Sequence, residues 1–398
     1  MNTTLSTKTL FSDFSATAAI TGSLAALVGF TGSFAVVLQG LNSVGATTEQ
    51  AASALMALCF TMGICGIVLS VVYRMPISIA WSTPGAAMLA GSASVAGNFN
   101  LAVGAFLVCG VLLTLAGFLK PLSRLVAAIP TPLASAMLAG ILFGLCLAPV
   151  KAVAEFPMFG LPIFLAWLLA AKFHRLLAVP AALLVFFIIL FFFVDIAEGL
   201  NTLKSESIMT ELMWVQPEFS VGAVMGIALP LFIVTMASQN IPGMGVLNAN
   251  HYHTDSGKLF ATTGFFSILS APFGGHAVNL AAITAAMCAG KEAQPDRTKR
   301  YWSAIVAGLC YAVIAVFAGF IIKLVTLAPP ILIQAVAGLA LISACASALV
   351  SAFEVEKHRE AAAVTFFITA SGLIFLGISG AFWGLVCGWL VYYIHRSF

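Results

Sequence analysis

The sequence predicts an all-α polytopic membrane protein of about fourteen transmembrane segments, arranged as two inverted seven-span repeats. Three observations predict it. Of 398 residues, 61% are hydrophobic and 8% charged, where a soluble domain carries about a quarter charged residues; the mean hydropathy is +1.09. Apolar runs of spanning length, about 20 residues each, follow one another with short polar gaps. Short motifs also recur at a displacement close to 200 positions. The composition excludes a cytosolic enzyme and a disordered scaffold. A net charge of +3 without a basic face excludes a nucleic-acid module.

In chain order the segments are 17–39, 52–73, 77–97, 101–119, 126–149, 157–173, 176–196, 220–240, 258–270, 272–290, 302–322, 324–350, 361–378 and 380–395. The positive-inside rule orients them. With the N-terminus cytoplasmic, Lys8, Arg74, Lys120, Arg124, Lys172, Arg175, Lys258, Lys291, Arg297, Lys299, Arg300, Lys357, Arg359 and Arg396 fall on that side, and only Lys151, Lys204 and Lys323 fall outside. The long loop between segments seven and eight is acidic (Asp195, Glu198, Glu206, Glu211, Glu218), as an external loop can be. Both termini are therefore expected in the cytoplasm, with the chain multi-pass in a bacterial cytoplasmic (inner) membrane. No signal peptide is read at the N-terminus. The eight cysteines lie inside apolar runs without a C-x-x-C pair, so neither disulfides nor metal clusters are expected. His251 and His253 supply two imidazoles in a short loop with no third ligand nearby, and no metal or other cofactor is expected.

The repeat rests on three pairs. PLASAMLAG (Pro132 to Gly140) and PILIQAVAG (Pro330 to Gly338) share P-x6-A-G at a displacement of 198; AGF recurs at 116–118 and 318–320, displaced by 202; Gln39 and Gln239 are displaced by 200. Seven spans is an odd number, so the second copy is upside down, the arrangement of secondary transporters with a site where the copies meet. The units expected are a first repeat at 14–196, an external loop at 197–219 and a second repeat at 220–396.

Two segments are interrupted in register. Segment three carries Ser82-Thr83-Pro84-Gly85, and segment ten carries Pro272, Gly274 and Gly275 followed by His276. Each reads as extended chain followed by a half-helix that starts within the membrane, where proline suits the first turn and glycine lets backbone approach a ligand. Facing N-termini would present N–H groups to an anion; two proline kinks without a ligand are the plainer alternative. The interiors of the apolar segments hold almost no ionisable groups and no Asp or Glu lies clearly inside one; the exception is His276, at the start of the segment-ten half-helix, and imidazole titrates near neutrality. It can carry a symported proton, or stay neutral on a carbonyl. Gln39, Gln239, Asn240 and Asn279 can bind substrate or join helices, and the repeat-equivalent positions of the two glutamines favour the cavity for that pair. Pro242 and Gly243 are expected to end segment eight in an irregular turn. Trp81 can face a ring substrate or anchor at the membrane interface.

STPGAA at 82–87, SQNIPGMGVL at 238–247 and APFGGHAVNLAAITAA at 271–286 resemble the benzoate:proton symporter (BenE) family, within the fold shared by uracil/xanthine permeases and sulfate-type anion transporters. The resemblance runs from about Phe14 to Arg396. It implies core segments (14–119 and 220–322) moving like an elevator against gate segments (120–196 and 323–396), and a homodimer built through the gate. Nucleobase permeases carry a Glu in segments eight and ten; this chain has Gln239 near the first position and no acid near the second, which favours an anionic substrate. The expectation is a transporter, not an enzyme, that imports a small benzoate-like carboxylate with a proton. The carboxylate would lie between Thr83–Ala86 and Gly275–Ala277, helped by Ser82 and His276, with the ring against Trp81. Alternatives are an exchanger or channel for another small anion, or a nucleobase-type permease.

Overall fold

The computed structural model describes residues 12–92, 97–121, 128–193, 210–376 and 378–396. Lys8, Arg124, Lys204, Asp195, Glu198 and Glu206, which bear on the expected orientation, lie outside the described residues.

Helices carry the chain across. They are α1 (Ala16–Thr31), α2 (Phe34–Ser43), α3 (Thr48–Tyr73), then strand β1 (Ile79–Trp81) and α4 (Thr83–Ala90), followed by α5 (Phe99–Phe118), α6 (Thr131–Cys146), α7 (Ala148–Glu155), α8 (Pro157–Phe173) and α9 (Ala178–Phe193). The second half begins with α10 (Val221–Ala249). It continues through α11 (Ser256–Ser270), strand β2 (Val278–Leu280), α12 (Ile283–Ala289), α13 (Tyr301–Val316), α14 (Ala318–Thr326), α15 (Pro330–Phe353), α16 (Arg359–Ala370), the hairpin β3 (Ile374–Phe375) and β4 (Ile378–Ser379), and α17 (Gly380–Arg396).

Of the fourteen expected segments, eight are helices long and apolar enough to cross a membrane among the described residues. The rest are shorter helices or interrupted segments. Segment one divides at Gly32–Ser33 into α1 and α2. In segment five the described helix begins at Thr131, and the expected start at 126 lies outside the described residues. Segment twelve begins at Pro330, because Pro329 and Pro330 separate it from α14, which takes residues 324–326. Segment thirteen stops at Ala370, where Gly372 at φ +67 turns the chain into the hairpin.

Sequence signals explain the boundaries that hold. Thr47 and Gln50 form a reciprocal capping box at the start of α3; Asn98 caps α5 and Asp255 caps α11. The expected irregular turn at Pro242 does not occur: α10 runs on to Ala249. Proline lacks an N–H and crowds the carbonyl one turn back. Two π-helical turns absorb that strain, Val224–Ala228 before Pro230 and Met236–Asn240 before Pro242.

α3 packs along α13, and α11 packs along α5. Under the expected repeat α3 corresponds to α11 and α5 to α13, so each pair is the counterpart of the other. Gly63 and Gly308 bring α3 and α13 into backbone contact: a Cβ on either would lie 2.6 Å from the other's carbonyl oxygen. Small residues permit such approach in membranes, where packing and not water drives helices together.

Candidate functional site

The two interrupted segments meet as an antiparallel pair, Ile79 opposite Leu280, Ala80 opposite Asn279 and Trp81 opposite Val278. The Ser82 N–H donates to Ala277 O (3.1 Å) and the Ala281 N–H to Ser78 O (3.0 Å), extending the ladder at both ends. A shift of 199 positions, the separation of Ala80 and Asn279, carries one of these bonds onto the other.

This ladder corrects the expected helix start in segment ten. Gly274, at φ +91, turns the chain. Gly275 and His276 then lead into β2, and α12 begins only at Ile283. Backbone groups committed to a ladder cannot also close helical turns, so Gly275–Ala277 are extended chain and not a helix N-terminus. Away from β1, the Val278 N–H donates to Ser267 Oγ (2.8 Å) and the Leu280 N–H to Asn240 Oδ1 (2.9 Å). Side chains thereby satisfy a sheet edge that lipid could not.

α4 does begin where expected, immediately after β1. Ser82 caps it, its Oγ accepting the Gly85 N–H at 3.2 Å and its carbonyl the Ala86 N–H at 2.8 Å. Pro84 has no N–H, which leaves the Thr83 amide as the first-turn donor that the helix does not itself consume. Thr235 Oγ1, from α10, donates to Ser82 Oγ at 2.8 Å. His276 Nε2 lies 3.0 Å from the Ser82 carbonyl. A carbonyl only accepts, so the hydrogen of the neutral ring is on Nε2 and Nδ1 is a bare acceptor. The ring is fully buried and meets Phe106 of α5 edge-on at 6.3 Å.

Among the described residues, four buried side-chain atoms have no hydrogen-bond partner: Gln39 Oε1, His276 Nδ1, Asn279 Oδ1 and Thr369 Oγ1. Three belong to the predicted set. Buried polar atoms are nearly always paired, and exceptions call for an explanation such as a ligand. Asn240, by contrast, is engaged at both ends of its amide, by the Leu280 N–H and by Met236 Sδ, and works as a brace between α10 and β2. Trp81 is buried; its Nε1–H donates to Ser33 Oγ at 2.8 Å and its ring tilts against Phe30. Gln39 lies on α2, whose next residue, Gly40, abuts the Ala86 carbonyl of α4. Gln239 is half-buried in the second π turn. No hydrogen bond joins the two glutamines.

Sequence reasoning passed over Thr235, Ser267, and the Ser78–Thr284 hydroxyl pair (2.8 Å) that faces the opposite end of the ladder. Thr235 stands one helical turn before Gln239, and that spacing was its available signal. The stretches 77–90, 229–249 and 271–289 contain no Asp, Glu, Lys or Arg. The crossing is polar but carries no fixed charge.

Residues 12–394 match the family model described as benzoate membrane transport protein, BenE. The chain is 37% identical over 378 residues to the inner membrane protein YdcO of Escherichia coli K12, covering 94% of this chain and 95% of that one. It is 34% identical over 389 residues to the benzoate membrane transport protein of Acinetobacter baylyi, covering 97% of each. Among solved structures, the transmembrane domain of the cyanobacterial bicarbonate transporter BicA superposes with a TM-score of 0.57 at 15% identity, covering 94% of this chain and 97% of that one. SLC26A9 superposes at 0.61 and 12% identity, covering 95% of this chain and 65% of that one. At these identities the structural likeness speaks for the fold.

Proposed function

The chain belongs to the benzoate membrane transport (BenE) family, a family of transporters and not enzymes, and from that premise we propose that it imports a small aromatic carboxylate together with a proton. The observation that carries the proposal is His276: a buried imidazole with one nitrogen spent on the Ser82 carbonyl and the other unpartnered, in a crossing without fixed charge. An anion alone is poorly held in such a place. Protonation puts a hydrogen on Nδ1, where it can be donated to a carboxylate. Anion and proton then favour each other's binding, which is symport in thermodynamic terms. The α4 N-terminus adds a favourable dipole and the Thr83 amide.

In this reading Ser82, Thr83, Pro84, Gly85 and His276 surround the carboxylate, Gly274 and Gly275 shape the approach, and Gln39, Gln239 and Asn279 line the remainder. Asn240 and Trp81 support the site from behind. The matching helix pairs and the ladder at a displacement of 199 support fourteen spans in two inverted sevens. Core segments (14–119 and 220–322) would carry the site past gate segments (120–196 and 323–396) as an elevator. The molecule would be a homodimer in the bacterial inner membrane with both termini cytoplasmic.

The test is uptake of labelled benzoate into proteoliposomes with and without an inward proton gradient, with empty liposomes subtracted for diffusion of the neutral acid. The expected result is accumulation that the gradient stimulates and a protonophore abolishes. Uptake indifferent to the gradient would exclude proton symport.

A further inference from the structure

Ser82 Oγ already accepts two hydrogen bonds, from the Gly85 amide and from Thr235 Oγ1. A serine hydroxyl has two acceptor lone pairs and one hydrogen. With both lone pairs occupied, the hydroxyl can only give its hydrogen, and no acceptor among the described residues takes it. Ser82 and Thr235 are both fully buried, so bulk water does not take it either. The Ser82 peptide carbonyl is likewise full, receiving the Ala86 amide and His276 Nε2.

We propose that Thr235 is a positioning residue for the substrate carboxylate: by donating to Ser82 Oγ it commits the Ser82 hydroxyl to donate outward, so that Ser82 Oγ–H binds a carboxylate oxygen beside the unpartnered Nδ1 of His276. This deepens the reading of the site as a carboxylate site and rests on it. Without Thr235 the Ser82 hydroxyl is free to rotate, and a vacant lone pair facing the anion repels it. The hydrogen bond also joins α10 to the cap of α4, one residue before the π turn that carries Gln239 and Asn240. The neutral donor therefore comes from one half of the chain and its orientation from the other.

The experiment measures KM and Vmax of labelled benzoate uptake in proteoliposomes for wild type, Thr235→Val, Thr235→Ser, Ser82→Ala and the double variant Thr235→Val/Ser82→Ala, at matched protein content. Valine keeps the shape of threonine and removes the hydroxyl. The expected result is a KM raised about tenfold, the scale of one hydrogen bond to a charged group, in T235V and in S82A. Vmax should change little, T235S should be close to wild type, and the double variant should be no worse than either single. A wild-type KM in T235V, or single effects that multiply in the double variant, would overturn the inference while leaving benzoate transport intact. Absence of specific uptake by the wild-type protein would overturn the carboxylate reading and this inference with it. If T235V does not reach the membrane, Thr235→Cys, similar in size but a weak donor, carries the same comparison with T235S.

Discussion

His276 is held by one hydrogen bond and an aromatic edge, and everything asked of it depends on which nitrogen is left over. Glutamine can keep an N–H directed at the Ser82 carbonyl without a group that titrates. H276Q is therefore expected to fold, to bind benzoate more weakly because the Nδ1–H donor is gone, and to lose gradient-driven accumulation, its uptake with an inward proton gradient equalling its uptake without one. Retained stimulation would move the proton elsewhere. The residue scale is also where sequence reading reached furthest. An isolated imidazole in an apolar run and two amides at matched positions were visible in the one-dimensional chain, and three of the predicted side chains do hold buried unpartnered atoms. Asn240 was not separable from Asn279 in the same way. One is satisfied by a strand amide and a thioether, the other is not, and that depends on a partner forty positions away.

At the scale of elements, the interrupted segments were legible because proline and glycine mark where regular structure stops. The structure beyond each interruption was not. Segment ten becomes strand before helix because β1, far away in sequence, takes its hydrogen bonds, and no local propensity carries that information. Pro242 misled in the opposite direction: the helix continues through it by widening into a π turn. P242A makes the consequence measurable. Alanine restores an N–H and lets the helix close as a regular α-helix, which removes one residue from the bulge and turns the part of α10 before it by about 100° relative to the part after it. Gln239 and Asn240 then lose their alignment with β2. The expected outcome is an unchanged or higher melting temperature in detergent with a KM for benzoate raised at least about fivefold, the equivalent of about 1 kcal/mol. An unchanged KM would mean that the bulge does not place the site.

For the whole molecule, composition and charge distribution were enough to establish a polytopic membrane protein, and short repeats were enough to suggest a duplication. The boundary between the proposed core and gate is crossed by the hydrogen bond from Ser379 Oγ to the carbonyl of Gly226 (2.9 Å). Pro230 denies that carbonyl its helical donor four residues on. If the core travels past the gate, this bond breaks and re-forms in every cycle. S379A should then alter Vmax by up to about fivefold, the net worth of one buried hydrogen bond, with KM unchanged. An effect confined to KM would argue that the two parts stay together during transport.

The β1–β2 ladder also bears on how the protein is made. Its two strands leave the ribosome about 200 residues apart, and at roughly 5–20 residues per second the first waits on the order of ten to forty seconds for the second. Throughout that interval the amides of Ala80 and Ser82, which face β2 in the finished ladder, have no strand to pair with, and lipid offers none. The part of the chain before β2 cannot satisfy this edge alone; the Ser78–Ser82 stretch needs water or helper proteins until Ala277–Ala281 arrives. Pairing of the strands is in effect a checkpoint of biogenesis, since a chain cut short before residue 277 leaves a surface that quality-control proteases can recognise.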